Sequence, residues 1–479
     1  MSGIDESNPY SQVGEKKEKD RPMRFGARGR RAEIETYYFN SLWKVGESPS
    51  PYVTRSDLGD HEPFFLIERS GEVRGGVWAL LRFAKEHTPS WLEDDEPVRI
   101  FIPRIYLVDV VGDPIATVEI EGRCFKSVAA GVQGVRFSFD PVFSVDCCLA
   151  EAHSPVRKPL TWDPQFRSRI VHYGLRKVRE RRAVKRLSGN VESGRAVPWF
   201  IEKGQDALRW LIRESLSAAG AHNTSLQPLW PEARTHAVCI THEVSGSLRS
   251  GWIEDAVRLE KERGFPSTWF LPGERPARGG QDDFLDRIRS NGNEIGLLGD
   301  VSGPTLAFRS DIFNRHYMDR CEKFIKRWDV RGFRSSAMMS SAIQRTILDE
   351  FDLFDTSTQD IDPFYPDVPE RGCRSVHPYR INGIPEIPVT LPTADTLFTL
   401  GMTSRDVMDQ WRLKLHWIKE VGGMAVFRFR HDAGLLSMGG KPGLSDRLSL
   451  YETLLDCVQD DDNAWITTTA AVADRCRNK

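Results

Sequence analysis

His236-Ala-Val-Cys-Ile-Thr-His-Glu-Val-Ser245 opens with an apolar, β-branched run of strand length. Lys261-Glu-Arg-Gly-Phe-Pro-Ser-Thr-Trp-Phe-Leu271 holds a second such run from Ser267, and Asn291-Gly-Asn-Glu-Ile-Gly-Leu-Leu-Gly-Asp-Val-Ser-Gly303 a third from Glu294 to Leu298. Trp252 to Arg263 is an amphipathic helix stopped by Gly264, and Phe284 to Ser290 a shorter one closed by Asn291-Gly292. Strand and helix alternating at this spacing imply parallel strands joined by helical crossovers.

The chain has 479 residues, enough for two or three domains because a single core rarely grows past about 250–300 residues. Apolar residues make up 40% and charged residues 28%, the balance of a water-soluble globular protein. A net charge of −2 predicts no general affinity for nucleic acid or anionic membrane. No apolar window of about 20 residues suggests a membrane span, and the basic start of the chain has no apolar stretch behind it to serve as a secretory leader. The cysteines at 124, 147, 148, 239, 321, 373, 457 and 476 show no paired spacing, so reduced thiols in a cytoplasmic protein are expected.

Four regions follow from the pattern. Residues 1–32 read as a polar disordered tail. Residues 33–150 read as a mainly β domain: Val98–Val111 is β-branched and ends at Gly112-Asp113-Pro114, Ile115–Glu121 alternates, and Val135–Phe139 alternates again. Gly76–Glu86 is expected to add one helix. Residues 151–225 read as a basic helical linker, with Arg and Lys crowded over 167–186 around the single acid Glu180. An anionic partner could bind there, but no stacking aromatics interleave the charges, which favours a solvated helix neutralised by its neighbours. Residues 226–479 carry the strand–helix alternation.

The motifs of this last region resemble, in order, those of the polysaccharide deacetylase family. Thr241-His-Glu-Val-Ser245 is similar to that family's metal-binding T-H-D-V-D, and Thr268-Trp-Phe270 to its T-F-F strand. Glu294-Ile-Gly-Leu-Leu-Gly299 is similar to its H-E-I-G-L-H-G, Val330-Arg-Gly-Phe-Arg-Ser-Ser336 to its G-F-R-S-P, and Leu348–Ser357 to its Y-D-S-S segment. Glu386-Ile-Pro-Val-Thr-Leu-Pro392 and the late strand ending in His431 complete the series. The resemblance covers about 226–475. It implies an α/β fold: a distorted (β/α) barrel of about seven strands in the C-terminal half, with the site at the strand C-termini, behind the N-terminal mainly β domain.

That family uses a divalent metal such as zinc to activate water, a carboxylate as base and a histidine as acid. Leu298 and Ser302 stand where its two histidine ligands belong, and no two of the eleven histidines here are four residues apart. No metal or other cofactor is therefore expected. Glu243 matches the base and is one methylene longer; it is either a proton acceptor or a carboxylate paired to a base such as Arg334. Ser245 offers no charged ligand. His431 matches the acid, and Glu243, His431 and Arg334 are the candidate catalytic residues. His242, Asp300 and Arg430 are the candidate binding residues, with an ordinary hydrogen-bonded strand histidine the favoured reading of His242.

Three functions fit these residues. The favoured one is a pseudoenzyme of surface-polysaccharide metabolism that binds a glycan, scaffolds or regulates. A second is an active carbohydrate deacetylase working through Glu243 and His431 with an unusual metal site or none. A third is an interaction protein acting through the β domain and basic linker.

Overall fold

A computed structural model describes residues 64–68, 70–132, 134–151, 153, 201–218, 229–245, 251–274, 281–299, 306–335, 338–361, 372–399, 402–431 and 444–477. The expected tail 1–32, the basic segment 167–186, Asp300 and Ser302 lie outside the described residues.

The first sheet contains β1 (Phe64–Ile67), β2 (Glu72–Phe83), β3 (Val98–Leu107), β4 (Asp113–Ile120), β5 (Arg123–Gly131) and β6 (Gly134–Phe137). Its order is β1-β6-β5-β4-β2-β3, antiparallel apart from the β1/β6 pair. The helix expected over Gly76–Glu86 is instead the second half of β2 for most of its length. Ala79, Leu81 and Phe83 are buried while Trp78, Leu80 and Arg82 are half-buried, and Trp78 packs on Phe101 at 5.3 Å on the other face. A strand apolar on both faces loses the polar alternation that identifies it.

Two helices cover this sheet: α1 (Pro141–Leu149), capped by Asp140, whose side chain accepts from Phe143 N, and α2 (Gly204–Ala218). Leu208, Leu211 and Ile212 of α2 share one core with Leu81, Ile100, Val118 and Phe137. Cys373, Tyr379 and Ile381 from the C-terminal half enter that same core, and the Tyr379 hydroxyl donates to Leu149 O at 3.1 Å.

The C-terminal sheet contains β7 (His236–Glu243), β8 (Ser267–Pro272), β9 (Glu294–Leu298), β10 (Gly332–Arg334), β11 (Phe354–Asp355), β12 (Tyr379–Ile381), β13 (Ile384–Glu386), β14 (Met424–Arg430) and β15 (Ala464–Ile466). The path runs β12-β13-β11-β10-β9-β8-β7-β14, with β15 also on β7. Every pairing is parallel except β12/β13. The sheet curls until the segment after β13 reaches β14, where Thr390 N and Leu391 N donate to Val426 O at 3.3 and 3.2 Å.

Helices α3 (Gly251–Arg263), α4 (Gln281–Ser290), α5 (Asp311–Trp328) and α6 (Ala342–Glu350) make the first crossovers, each between successive parallel strands. After β13 come α7 (Ala394–Thr399) and α8 (Ser404–Val421), then α9 (Leu444–Gln459) after β14 and α10 (Thr469–Arg477) after β15. Thr403 and Asp406 form a capping box at the start of α8, and Gly422 closes it at φ 68°, a conformation glycine adopts without strain.

Strand periodicity sorts the C-terminal side chains into two layers. Val238, Ile240, Trp269, Leu271, Phe427 and Phe429 pack outward against the helices. Ala237, Cys239, Phe354, Met424 and Val426 face inward with Trp230. No helix among the described residues is long and apolar enough to cross a membrane.

Gly296 of β9 stands in register with Phe270 of β8, and a Cβ there would penetrate the Phe270 ring. Overpacking a tight core costs about 1–3 kcal/mol. Gly296→Ala should lower stability by that order, read as a shift in the urea midpoint at unchanged slope.

Candidate functional site

Glu243 ends β7 and is 3% exposed. Arg428 of β14 holds it with two parallel bonds, Nε to Oε1 at 2.5 Å and Nη2 to Oε2 at 2.8 Å. Arg334 Nη1 lies 3.5 Å from Oε1 and Arg430 Nε 4.0 Å from Oε2. Burial pushes the Glu243 carboxyl up, but the guanidiniums of Arg428, Arg334 and Arg430 outweigh it and hold the group below the usual carboxylate range.

Arg334 is wholly buried at the end of β10. It donates to Thr241 Oγ1 at 2.7 Å and Thr356 Oγ1 at 2.9 Å, and its guanidinium lies 4.2 Å over the Phe270 ring. Burial lowers it to about 10, so it stays charged at neutral pH. Leu298, buried, pairs with Arg334 in register, which places an apolar side chain beside the guanidinium.

His242 and His431 belong to the other layer. Successive strand residues point to opposite faces, so His242 turns away from Glu243, and His431 away from Arg430. His242 stacks on Trp269 at 4.0 Å; its Nδ1 lies 2.9 Å from His431 Nε2 and its Nε2 2.6 Å from Glu260 Oε1 on α3. His431 touches the Glu243 cluster only through its backbone, donating N–H to Glu243 O at 3.0 Å. Burial, and then His242, hold the His431 imidazole well below its ordinary range.

The six candidate residues thus divide three ways. Glu243, Arg334 and Arg430 meet at the inner face, His242 and His431 pair on the outer face, and Asp300 lies outside the described residues. Sequence reasoning missed Arg428 and Glu260. The alternation Phe427-Arg-Phe-Arg430 on a strand otherwise buried was a usable signal for Arg428. Glu260 had none, since it sits in a helix beside the equally acidic Glu262.

Beyond the inner cluster a small recess opens between β14, α7 and α9, lined by Trp252, Phe398, Arg428, Arg430, Arg447 and Tyr451, among others. Arg447 there is paired to Asp395 at 3.0 Å. Among the described residues no three His, Cys, Asp or Glu side chains converge as metal ligands. Glu243, the nearest match to a ligand, already gives both oxygens to a guanidinium. A dication beside it would face three like charges, so these side chains do not fit a divalent metal.

An acidic pair lies elsewhere in the same sheet. Asp355 and Glu386 face each other across β11 and β13, with Arg345 Nε 4.0 and 3.9 Å away. Burial and the facing Asp355 push Glu386 up to about 8.

No protein-family model matches the chain, and no curated protein matches it. Among solved structures it is similar to a protein from Pseudomonas aeruginosa PAO1 described as a polysaccharide deacetylase, at a TM-score of 0.42 and 15% identity over 54% of this chain and 97% of that one. A Mycobacterium smegmatis protein described in the same way gives 0.40 and 18% over 52% and 92%. A carbohydrate esterase family 4 pseudoenzyme from Bacillus anthracis gives 0.33 and 13% over 51% and 67%. At this distance the likeness carries no argument, and the chemistry is read from the chain's own side chains.

Removing one partner of a buried ion pair costs about 3–5 kcal/mol because a charge is stranded. Arg428→Ala should therefore destabilise the protein by that order, and Arg428→Ala with Glu243→Gln by less than the single change, in denaturant titrations at pH 7. The sign with pH follows from the lowered Glu243 carboxyl. Its contribution is complete above the unfolded value of about 4.3 and is lost as pH falls through the folded one. Glu243→Gln should flatten the acid side of the stability profile. Glu386 has the opposite sign: its raised carboxyl costs stability as pH climbs from about 4.3 to about 8. Glu386→Gln should gain stability relative to the parent at pH 8 and little at pH 4.

Proposed function

We propose that this chain is a polysaccharide deacetylase-like protein without metal-dependent catalysis, whose barrel mouth binds a glycan in a scaffold or regulatory role. One observation carries the reading: the carboxylate at the expected position of the catalytic base is fully engaged by Arg428 and flanked by Arg334 and Arg430. A base needs a proton affinity matched to its task, and the guanidiniums that hold both Glu243 oxygens keep its carboxyl below the usual range and so weaken it as a base. The same guanidiniums favour an anion over a cation at the mouth. Half-buried Trp252 and Phe398 beside them add apolar and aromatic surface. An acidic saccharide suits both features.

The alternative of an active deacetylase asks Glu243 and His431 to act at one reacting centre. Their side chains point to opposite faces of the sheet, which weighs against it. It would also need the several kcal/mol of charge stabilisation that a Lewis acid supplies to amide hydrolysis.

Calorimetric titration of zinc, cobalt and nickel into chelator-stripped protein should give no stoichiometric binding tighter than micromolar. Metal bound at that affinity, and lost in Glu243→Gln, would sink the proposal. A glucuronate-containing tetrasaccharide should bind, with affinity reduced in Arg430→Ala and by added salt, since screening weakens exposed charge.

A further inference from the structure

Among the described residues, Asp355 and Glu386 form the single register pair between β11 and β13, and both are wholly buried. Their hydrogen bonds are unequal. Asp355 Oδ1 accepts from Ser357 N at 3.0 Å and from the Ser357 hydroxyl, and its Oδ2 accepts from Ser340 Oγ at 2.7 Å. Glu386 Oε1 accepts from Thr358 N at 3.1 Å, while Oε2 is buried and has no hydrogen-bond partner. Donors aimed at a carboxyl favour its ionised form, so Glu386 is the member of the pair suited to hold a proton. Arg345 of α6 stands between the two, its Nε 4.0 Å from Asp355 and 3.9 Å from Glu386, beyond hydrogen-bond length. Burial, and then Asp355, push the Glu386 carboxyl up to about 8.

The elements packed around the pair bring no second cation to it. Tyr379 of β12, Cys373 ahead of that strand and Glu151 just past α1 lie within its field. The Tyr379 hydroxyl is tied to Leu149 O, and Glu151 Oε1 accepts from Gly372 N at 3.1 Å. From α10, Ala470, Val472, Ala473 and Cys476 share a core with Ile387 and Val389. The charged groups of that helix, Asp474, Arg475 and Arg477, bond instead to Arg331, Leu229 O and Asp352. One guanidinium, Arg345, thus serves Asp355, Glu386 and Glu151 together. A further negative charge between β11 and β13 meets little to offset it in surroundings of low dielectric. The hairpin that β13 belongs to makes this matter. Among the described residues β12 pairs with β13 alone, through the Asn382-Gly383 turn, and it places Tyr379 and Ile381 in the core of the first sheet. Beside the register pair, Ile387 N donates to Asp355 O at 2.9 Å and Val389 N to Thr358 O at 2.9 Å.

We infer that Glu386 is a pH-sensitive catch: as a neutral acid it lets the β12–β13 hairpin close on β11, and once ionised it releases the hairpin and with it the Tyr379 tie between the two halves. The inference does not rest on the glycan reading above. Linkage sets its sign. Opened to water, a glutamate ionises at about 4.3; closed on β11, Glu386 does so only at about 8. Opening therefore releases a proton, and it becomes about tenfold easier with each pH unit between those two values.

The full chain labelled with 13C at its glutamate carboxyls tests the proton, with Glu386→Gln for assignment. A neutral carboxyl signal should be present at pH 7, move to the carboxylate position through about pH 8, and be missing from the variant. A parent protein with every glutamate ionised at pH 7 overturns the inference without recourse to any variant. The same neutral signals in Glu386→Gln as in the parent overturn it too. Hydrogen exchange then reads the release. The opening constant at the Ile387 and Thr358 amides should rise about tenfold per pH unit from about pH 5.5 to 7.5 in the parent and stay level in Glu386→Gln. A level opening constant in the parent, or equal slopes in the two proteins, overturns the catch. An equal difference in slope at the Ile240 amide of β7 ties the proton to unfolding of the whole chain and overturns a local release.

Discussion

A buried carboxylate must be paired, and at the mouth of this sheet that requirement organises everything around it. Glu243 is drawn below water by the strand that carries it, and β14 answers with Arg428 and Arg430 two residues apart. Arg334 closes the cluster from β10 and is itself spread over Thr241, Thr356 and the face of Phe270. Phe270 can lie flat beneath it because Gly296 has no side chain on the neighbouring strand. The ion pair, the aromatic ring and the glycine are thus one packing unit.

The alternation of strand side chains does the rest. Glu243 and His242 are adjacent in sequence, as are Arg430 and His431, yet each pair splits across the sheet. One layer becomes strongly charged, and in the other His242 and His431 stack on Trp269 behind Tyr451, hydrogen-bonded to each other and to Glu260. Functional neighbours in the sequence are here functional strangers in space.

Much of this was legible beforehand. The strands now seen as β7, β8 and β9 and the helices between them follow from apolar runs punctuated by glycine, because each is a simple element with one buried role. The second half of β2 was misread because both its faces are covered. The strand β5 went unnoticed because Arg123-Cys-Phe-Lys-Ser alternates only weakly. At the site, pairing of Glu243 with a basic residue such as Arg334 was one of two readings the sequence left open, the other being a proton acceptor. The stronger partner, Arg428, is 185 residues away and reaches Glu243 only through sheet order. Glu260 was invisible because one of several acids on a charged helix acquires meaning only from what it packs against.

Tyr379 has a further consequence. Its ring completes the core of the first sheet while its own strand belongs to the second, and its hydroxyl is tied to the end of α1. Trp91 meets Trp417 across the same boundary at 5.1 Å. A chain cut between the two halves would leave each with an open apolar wound, so neither is a portable module.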